Sequence, residues 1–187
     1  TAKRDWERER DLLKRQDEDR QAVRALDAKV GALVAAGKRR DAISLLAAET
    51  AKRPSIAAYA DDKRFDLLLA EGDRAAFDLA RTLANGPAKN DPVRLNHYAW
   101  SLIDPEATPP ITDLGLSLRL ATRAAELSKF ADGSILDTYA LALWRNGRRE
   151  DAIRNQYRAV DLAKRDGNDP TSVADLESRL KQFLAGG

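Results

Sequence analysis

The clearest signal of the fold is the segment LDTYALALWRNGRREDAI, from Leu136 to Ile153. It aligns without gaps on LDAKVGALVAAGKRRDAI, from Leu26 to Ile43, and half of the aligned positions are identical. In both copies an apolar helical stripe runs up to a glycine, basic residues follow, and a second apolar stripe begins with Ala-Ile. Glycine ends a helix because it adopts the left-handed C-cap conformation without a Cβ penalty. Each copy is therefore predicted to be a helix-turn-helix hairpin.

A further copy lies between these two. The segment LSLRLATRAAELSK, 116–129, matches DAIRNQYRAVDLAK, 151–164, at a distance close to the roughly 34-residue period of one class of helical repeats. The preceding helix, 95–102, matches 136–143 in the spacing of its Leu, Tyr, Ala and Leu residues, with the breaker loop DPEATPP, 104–110, as an insertion. No segment alternates apolar and polar residues long enough to require a strand.

The pattern as a whole predicts an all-α fold. The predicted helices are 4–36, 38–52, 55–71, 73–85, 92–104, 112–129, 134–146, 148–166 and 171–184. We expect them to form an α-α superhelix, or solenoid, of about four helical hairpins with a long N-terminal helix and a C-terminal capping helix. We expect residues 1–22 to be a projecting helix or spacer, and residues 23–187 to be the repeat domain. Its cap, 171–187, has one apolar stripe and one polar face, as a terminal helix of a solenoid needs.

The small residues Ala140, Gly147, Ala152 and Ala159 recur at a spacing that resembles the signature of the tetratricopeptide (TPR) repeat. The resemblance covers about residues 26–164. It implies a TPR-like solenoid in which the first helix of each hairpin lines a concave groove. It also implies a non-catalytic scaffold that binds a protein or peptide in that groove.

The run LNHYAWSLID, 95–104, the proline-containing insertion and ILDTYALALWRNGRREDAI, 135–153, occur in that order. This arrangement resembles the helical region that follows a thioredoxin-like domain in some bacterial proteins. The resemblance implies, as an alternative, an accessory domain that positions an upstream redoxin domain in a periplasmic or other extracytoplasmic setting. Because Thr1 falls inside a charged helical pattern, we expect a segment upstream of it. The cysteines of such redox chemistry would lie outside this sequence.

Composition narrows the possible functions. The sequence has no cysteine and a single histidine, which excludes thiolate sites and any multi-histidine metal site within one chain. Its 32 basic and 30 acidic residues give a net charge of +2 and are interleaved, so a nucleic-acid partner is not expected. No apolar run is long enough to insert into a membrane. We therefore expect no catalytic residue, no cofactor and no metal, and we interpret His97 as a structural histidine.

The expected groove-facing residues lie on the first helices of the two clearest hairpins. They are Asn96, Trp100, Asp137, Leu141, Trp144 and Arg145. Tryptophan and arginine are common anchors of protein interfaces. The alternative is that Trp100 and Trp144 pack between repeats, as aromatic residues at helical spacing often do. Acidic residues at Asp27 and Asp137 favour a partner of basic or mixed character.

The N-terminal helix has an unusual pattern. Residues 14–21 contain no apolar residue, whereas Trp6 and Leu13 precede this gap and Val23 follows it. A helix with no apolar face along such a stretch projects from a core or bridges to another domain. We predict that Trp6 and Leu13 are interdomain docking residues.

Overall fold

A computed structural model describes residues 2–186 of the chain, and the side chains of residues 6–186. Within this range every regular element is helical. The α-helices are α1 (Ala2–Ala35), α2 (Arg39–Lys52), α3 (Ala57–Ala70), α4 (Ala75–Asn85), α5 (Pro92–Ser101), α6 (Leu114–Leu127), α7 (Gly133–Arg145), α8 (Arg149–Arg165) and α9 (Pro170–Leu184). A short 3-10 helix, Pro54–Ile56, precedes α3. The predicted all-α fold class is confirmed.

The chain divides into two compact units, one ending at Glu71 and the other beginning at Gly72. The expected boundary between a projecting helix and the repeat domain at residue 22 was based on a different criterion, namely that the preceding stretch of the helix lacks an apolar face. That boundary stays a prediction. Residue 22 lies inside α1, which is one continuous helix.

The first unit is built from α1, α2 and α3. Its core is a cluster of buried residues drawn from all three helices and from the 3-10 helix, namely Leu26, Val30, Ala42, Leu46, Ile56 and Ala60. The side chain of each alanine is small enough to let two helices approach closely. From Trp6 to Gln21, by contrast, α1 has no buried residue. The part of α1 that holds the first unit together therefore begins near Ala22.

The turns of the two aligned hairpins have the same geometry. Gly37 and Gly147 have φ angles of 73° and 78°, the left-handed conformation predicted for them. After each glycine, the next backbone N–H donates to a carbonyl five residues earlier, at 2.8 Å for Lys38 and 2.9 Å for Arg148. This is the hydrogen bond of a Schellman C-cap. The predicted helix-turn-helix geometry is present in both copies.

The second unit contains α4 to α9. Consecutive helices α5 to α9 pack against one another, and α5 also contacts α7. Small residues allow close contacts between these helices: the Ser117 hydroxyl donates to the carbonyl oxygen of Ala99 at 2.9 Å. A Cβ on Gly133 would lie 3.1 Å from the carbonyl oxygen of Ala159. The fully buried residues Leu95, Leu136 and Ala159, among others, form the core.

Aspartates begin four of these helices. Asp91, Asp113, Asp132 and Asp169 are N-caps whose carboxylates accept hydrogen bonds from backbone N–H groups of the first turn. An N-cap carboxylate accepts hydrogen bonds from N–H groups that have no partner inside the helix. Its negative charge is also attracted to the positive end of the helix dipole. These caps fix where α5, α6, α7 and α9 start, and hence which faces of these helices meet.

Candidate partner-binding groove

Three alternate helices of the second unit, α5, α7 and α9, line a pocket of about 540 Å³ that is open to solvent. The loop between α5 and α6 closes one side of it. The lining residues are Trp100, Pro105, Glu106, Asp137, Ser172, Asp175, Ser178, Arg179 and Gln182. Two of the predicted groove residues, Trp100 and Asp137, therefore meet in one pocket, together with residues of the last helix. We call this pocket the α5–α7–α9 groove.

Asp137 lies at the floor of the groove and is only 8% exposed. Its Oδ1 atom accepts hydrogen bonds from Nε of Arg179 at 2.8 Å and from Nε2 of Gln156 at 2.7 Å. Gln156 also donates to the carbonyl oxygen of Leu176 at 3.1 Å. Burial raises the pKa of the Asp137 carboxyl, and the charge of Arg179 and the amide of Gln156 oppose that rise. The carboxylate thus joins α7, α8 and α9 at one point.

Arg179 connects this buried point to the surface of the groove. Its guanidinium lies over the ring of Trp100, 5.1 Å from the ring centroid, while its Nε remains on Asp137. Its side chain is 16% exposed. Cation–π and carboxylate contacts together restrict the guanidinium to one orientation. The groove therefore presents Trp100 and Arg179 as a fixed platform.

The rim of the groove is acidic. Glu106 and Asp175 are both exposed, and no ion pair joins either to another residue within the described range. Asp175 lies close enough to Asp137 for its charge to raise the pKa of that carboxyl. Three carboxylates therefore line the groove against the single guanidinium of Arg179. This charge imbalance favours a basic ligand.

The remaining predicted groove residues lie outside the pocket. Leu141 is buried, with 6% exposure, and the ring of Trp144 stacks on Phe183 of α9 at a centroid distance of 4.5 Å. Arg145 is exposed. Asn96 lies one helical turn before Trp100, and its buried Oδ1 atom has no hydrogen-bond partner among the described residues. Their roles in partner binding stay predictions.

The sequence did not point to Glu106, Asp175 or Arg179 as groove residues. α9 was predicted only as a cap because its apolar stripe and polar face account for a terminal helix. Arg179 lies on the polar face of α9 together with charged residues that face solvent. The sequence of α9 alone therefore cannot distinguish Arg179 from those solvent-facing residues. The available signal was the helix order: α9 would be the first helix of a further hairpin, and first helices line the groove.

The predicted docking residues of α1 lie on the protein surface. Trp6 is 55% exposed and Leu13 is 53% exposed. The Arg10 guanidinium lies 4.9 Å from the centroid of the Trp6 ring. Both side chains are available to a further domain, and their docking role stays a prediction.

No protein-family model and no curated protein matches the chain. Among solved structures it is similar to one named MamA RS-1 ArsTM double mutant, a TPR-repeat protein, with a TM-score of 0.55. The match covers 88% of this chain and 95% of that chain at 13% sequence identity. The fold is a TPR-like helical repeat. At this identity the likeness shows the fold alone, and the resemblance to a redoxin-associated region stays a prediction.

Two further observations concern the described residues. No helix among residues 2–186 is long and apolar enough to cross a membrane. Over the same part of the chain, no group of three or more histidine or acidic side chains is placed to hold a metal ion.

Proposed function

We propose that the protein is a non-catalytic interaction scaffold that binds an extended, basic segment of a partner protein in the α5–α7–α9 groove. The observation that carries the proposal is the placement of Trp100 and Arg179 as a fixed platform beneath an acidic rim. Tryptophan and arginine supply large contact area and directed hydrogen bonds at interfaces. The exposed carboxylates of Glu106 and Asp175 are available to pair with lysine or arginine of the ligand.

The TPR-like fold supports this proposal. In helical-repeat proteins the per-repeat rotation creates extended concave binding surfaces. The groove lies on alternate helices, which is where such a surface is expected.

An array of immobilised short peptides, basic, acidic and neutral at matched length, tests the proposal. Labelled protein should prefer basic peptides, and both Trp100→Ala and Asp175→Lys should reduce that binding about tenfold. Asp161→Lys is the matched control because Asp161 is exposed on α8, outside the groove. The proposal fails if acidic and basic peptides bind alike, or if the control reduces binding as much as Asp175→Lys.

The accessory role beside an upstream redoxin domain is a second candidate. The exposed Trp6, Leu12 and Leu13 on a stretch of α1 without buried residues favour it. Deletion of residues 1–20 should leave the thermal unfolding temperature nearly unchanged, because none of the described side chains from residue 6 to residue 20 is buried. In a chain fused to a redoxin domain, Trp6→Ala with Leu13→Ala should change interdomain cross-linking. Global unfolding on deletion, or unchanged cross-linking, would rule this role out.

A further inference from the structure

A second pocket, separate from the α5–α7–α9 groove, lies between α4, α5 and α6. Its volume is about 410 Å³, which is within the range of small-ligand sites. It is lined by Arg81, Ala84, Asn85, Lys89, Asn90, Leu95, Leu116, Arg119, Leu120 and Arg123. It shares no lining residue with the groove. We call it the α4–α6 pocket.

The lining of the α4–α6 pocket is strongly cationic. It contains three arginines and a lysine, and none of its lining residues is acidic. The chain as a whole carries nearly equal numbers of basic and acidic residues, so this concentration departs from the interleaved pattern elsewhere. Like charges in one concavity repel one another, and an anionic ligand relieves that repulsion.

The four cations differ in how far they are already neutralised. Arg81 pairs with Asp113 at 2.7 Å and with Asp78 at 2.9 Å. Arg123 is 3.7 Å from Glu126, a distance too long for a hydrogen bond. The side chains of Lys89 and Arg119 form neither an ion pair nor a hydrogen bond with another residue of the described range. Two cations are therefore unpaired, and a third is only loosely paired.

We propose that the α4–α6 pocket binds a phosphoryl group, either free in a small molecule or carried by a phosphorylated peptide. A phosphoryl group carries a charge of about −1.5 to −2 at neutral pH and has three strong acceptor oxygens. The two unpaired cations of the pocket match that charge. A ligand with a single carboxylate would leave one of the two cations unneutralised. The forked guanidinium of Arg119 can donate two parallel hydrogen bonds to such an anion. Asn85 and Asn90 supply carboxamide donors, and Leu95, Leu116 and Leu120 form an apolar floor.

Calorimetric titration with inorganic phosphate at constant ionic strength tests the pocket. We expect saturable binding at one site, weakened about tenfold by Arg119→Gln because a charge-assisted hydrogen bond is lost. Lys181→Gln removes the same charge from an exposed position on α9 and should leave affinity unchanged. Glu126→Gln should strengthen binding because it releases Arg123. Absence of saturation, or equal weakening by Lys181→Gln, would overturn the proposal.

The source of the phosphoryl group is distinguished with peptides. A phosphoserine peptide that binds more tightly than inorganic phosphate indicates a phosphorylated partner, and one that binds no more tightly indicates a small molecule. An unphosphorylated peptide that binds equally well would overturn the proposal. So would citrate if it bound as tightly as phosphate, since the pocket would then accept any polyanion. Trp100→Ala in the groove should not affect phosphate binding, so the two sites can fail independently.

Discussion

The carboxylate of Asp137 accepts a hydrogen bond from Nε of Arg179 at 2.8 Å, joining helices whose residues are 42 positions apart in the sequence. The pair lies beneath the groove and holds the guanidinium over Trp100. Removal of either partner leaves a buried group unsatisfied, which costs more than the net value of the pair. The structural role of Asp137 also changes how its predicted binding role can be tested. Charge reversal at Asp137 would disturb packing as well as binding. Charge reversal at Asp175, which is exposed on the rim, tests binding without removing a buried contact.

Arg179→Met should lower the free energy of unfolding by about 2–4 kcal/mol, because the buried carboxylate of Asp137 loses its charged partner. The double variant Asp137→Asn, Arg179→Met should lose less than the sum of the two single variants. Urea unfolding of all four proteins measures this coupling. Arg145→Met, at an exposed position of the same helix as Asp137, serves as the control. Strict additivity of the two single substitutions would contradict the paired arrangement.

Trp144→Ala should destabilise the second unit by about 2–4 kcal/mol through loss of its stack on Phe183. The rings are nearly parallel, with an interplanar angle of 9°. Phe183→Ala should produce a loss of similar size, and the double variant should add little to either. Denaturant unfolding followed by circular dichroism gives these values. A neutral Trp144→Ala would show that the tryptophan does not anchor α9.

Gly147→Ala should destabilise the protein by about 1 kcal/mol, because alanine is strained at a φ of 78°. No atom lies within 4 Å of an added Cβ at this position, so any cost comes from backbone conformation and not from a clash. Gly31→Ala is the matched control. Gly31 is within α1, also has open space around it, and should gain about 0.5–1 kcal/mol. Thermal unfolding should therefore shift in opposite directions for the two variants, and equal shifts would count against the hairpin turn.

The pair Tyr59 and Asp27 predicts a stability difference that depends on pH. The Tyr59 hydroxyl donates to Oδ1 of Asp27 at 2.5 Å. This hydrogen bond, together with the charge of Lys63, lowers the pKa of Asp27. Burial and the same hydrogen bond raise the pKa of the Tyr59 phenol. Wild type should be more stable than Tyr59→Phe at neutral pH.

That advantage should shrink on both sides of neutrality. It falls as pH drops below the ordinary aspartate value of 3.8, because protonation removes the stabilised carboxylate. It also falls as pH rises above the ordinary tyrosine value of 10.0, because the unfolded phenol ionises before the folded one. Urea unfolding across pH measures the difference, with Tyr157→Phe at an exposed position as control. A difference independent of pH would contradict the assignment.

The sequence predicted the two aligned hairpins well because local signals determine them. Gly37 and Gly147 end helices, aspartate caps begin them, and small residues mark where helices cross. Most predicted helix boundaries lie within two residues of the observed ones. Two of the differences have a physical reason. The helix predicted from residue 55 starts as a 3-10 turn at Pro54, and α5 ends at Ser101 because Leu102 and Ile103 enter a buried turn.

The site was harder to predict than the fold. Of the six residues expected from their register on α5 and α7 to face the groove, Trp100 and Asp137 line it, and their role in binding stays a prediction. The contacts between α9 and α7 could not be predicted from the sequence, because the two helices are not consecutive and meet only through tertiary packing. For the same reason the sequence left Trp144 open between a groove role and packing, and the structure stacks it on Phe183.

The three tryptophan indole signals of isotope-labelled protein can show whether the α5–α7–α9 groove is the binding surface, as we claim. A basic peptide from the array is titrated while the indole N–H resonances of Trp6, Trp100 and Trp144 are followed by nuclear magnetic resonance. We predict a saturable shift of the Trp100 signal, with Trp6 and Trp144 nearly unmoved, and Asp175→Lys should need about tenfold more peptide to reach the same shift. Saturable peptide binding that leaves the Trp100 signal in place would contradict the claim.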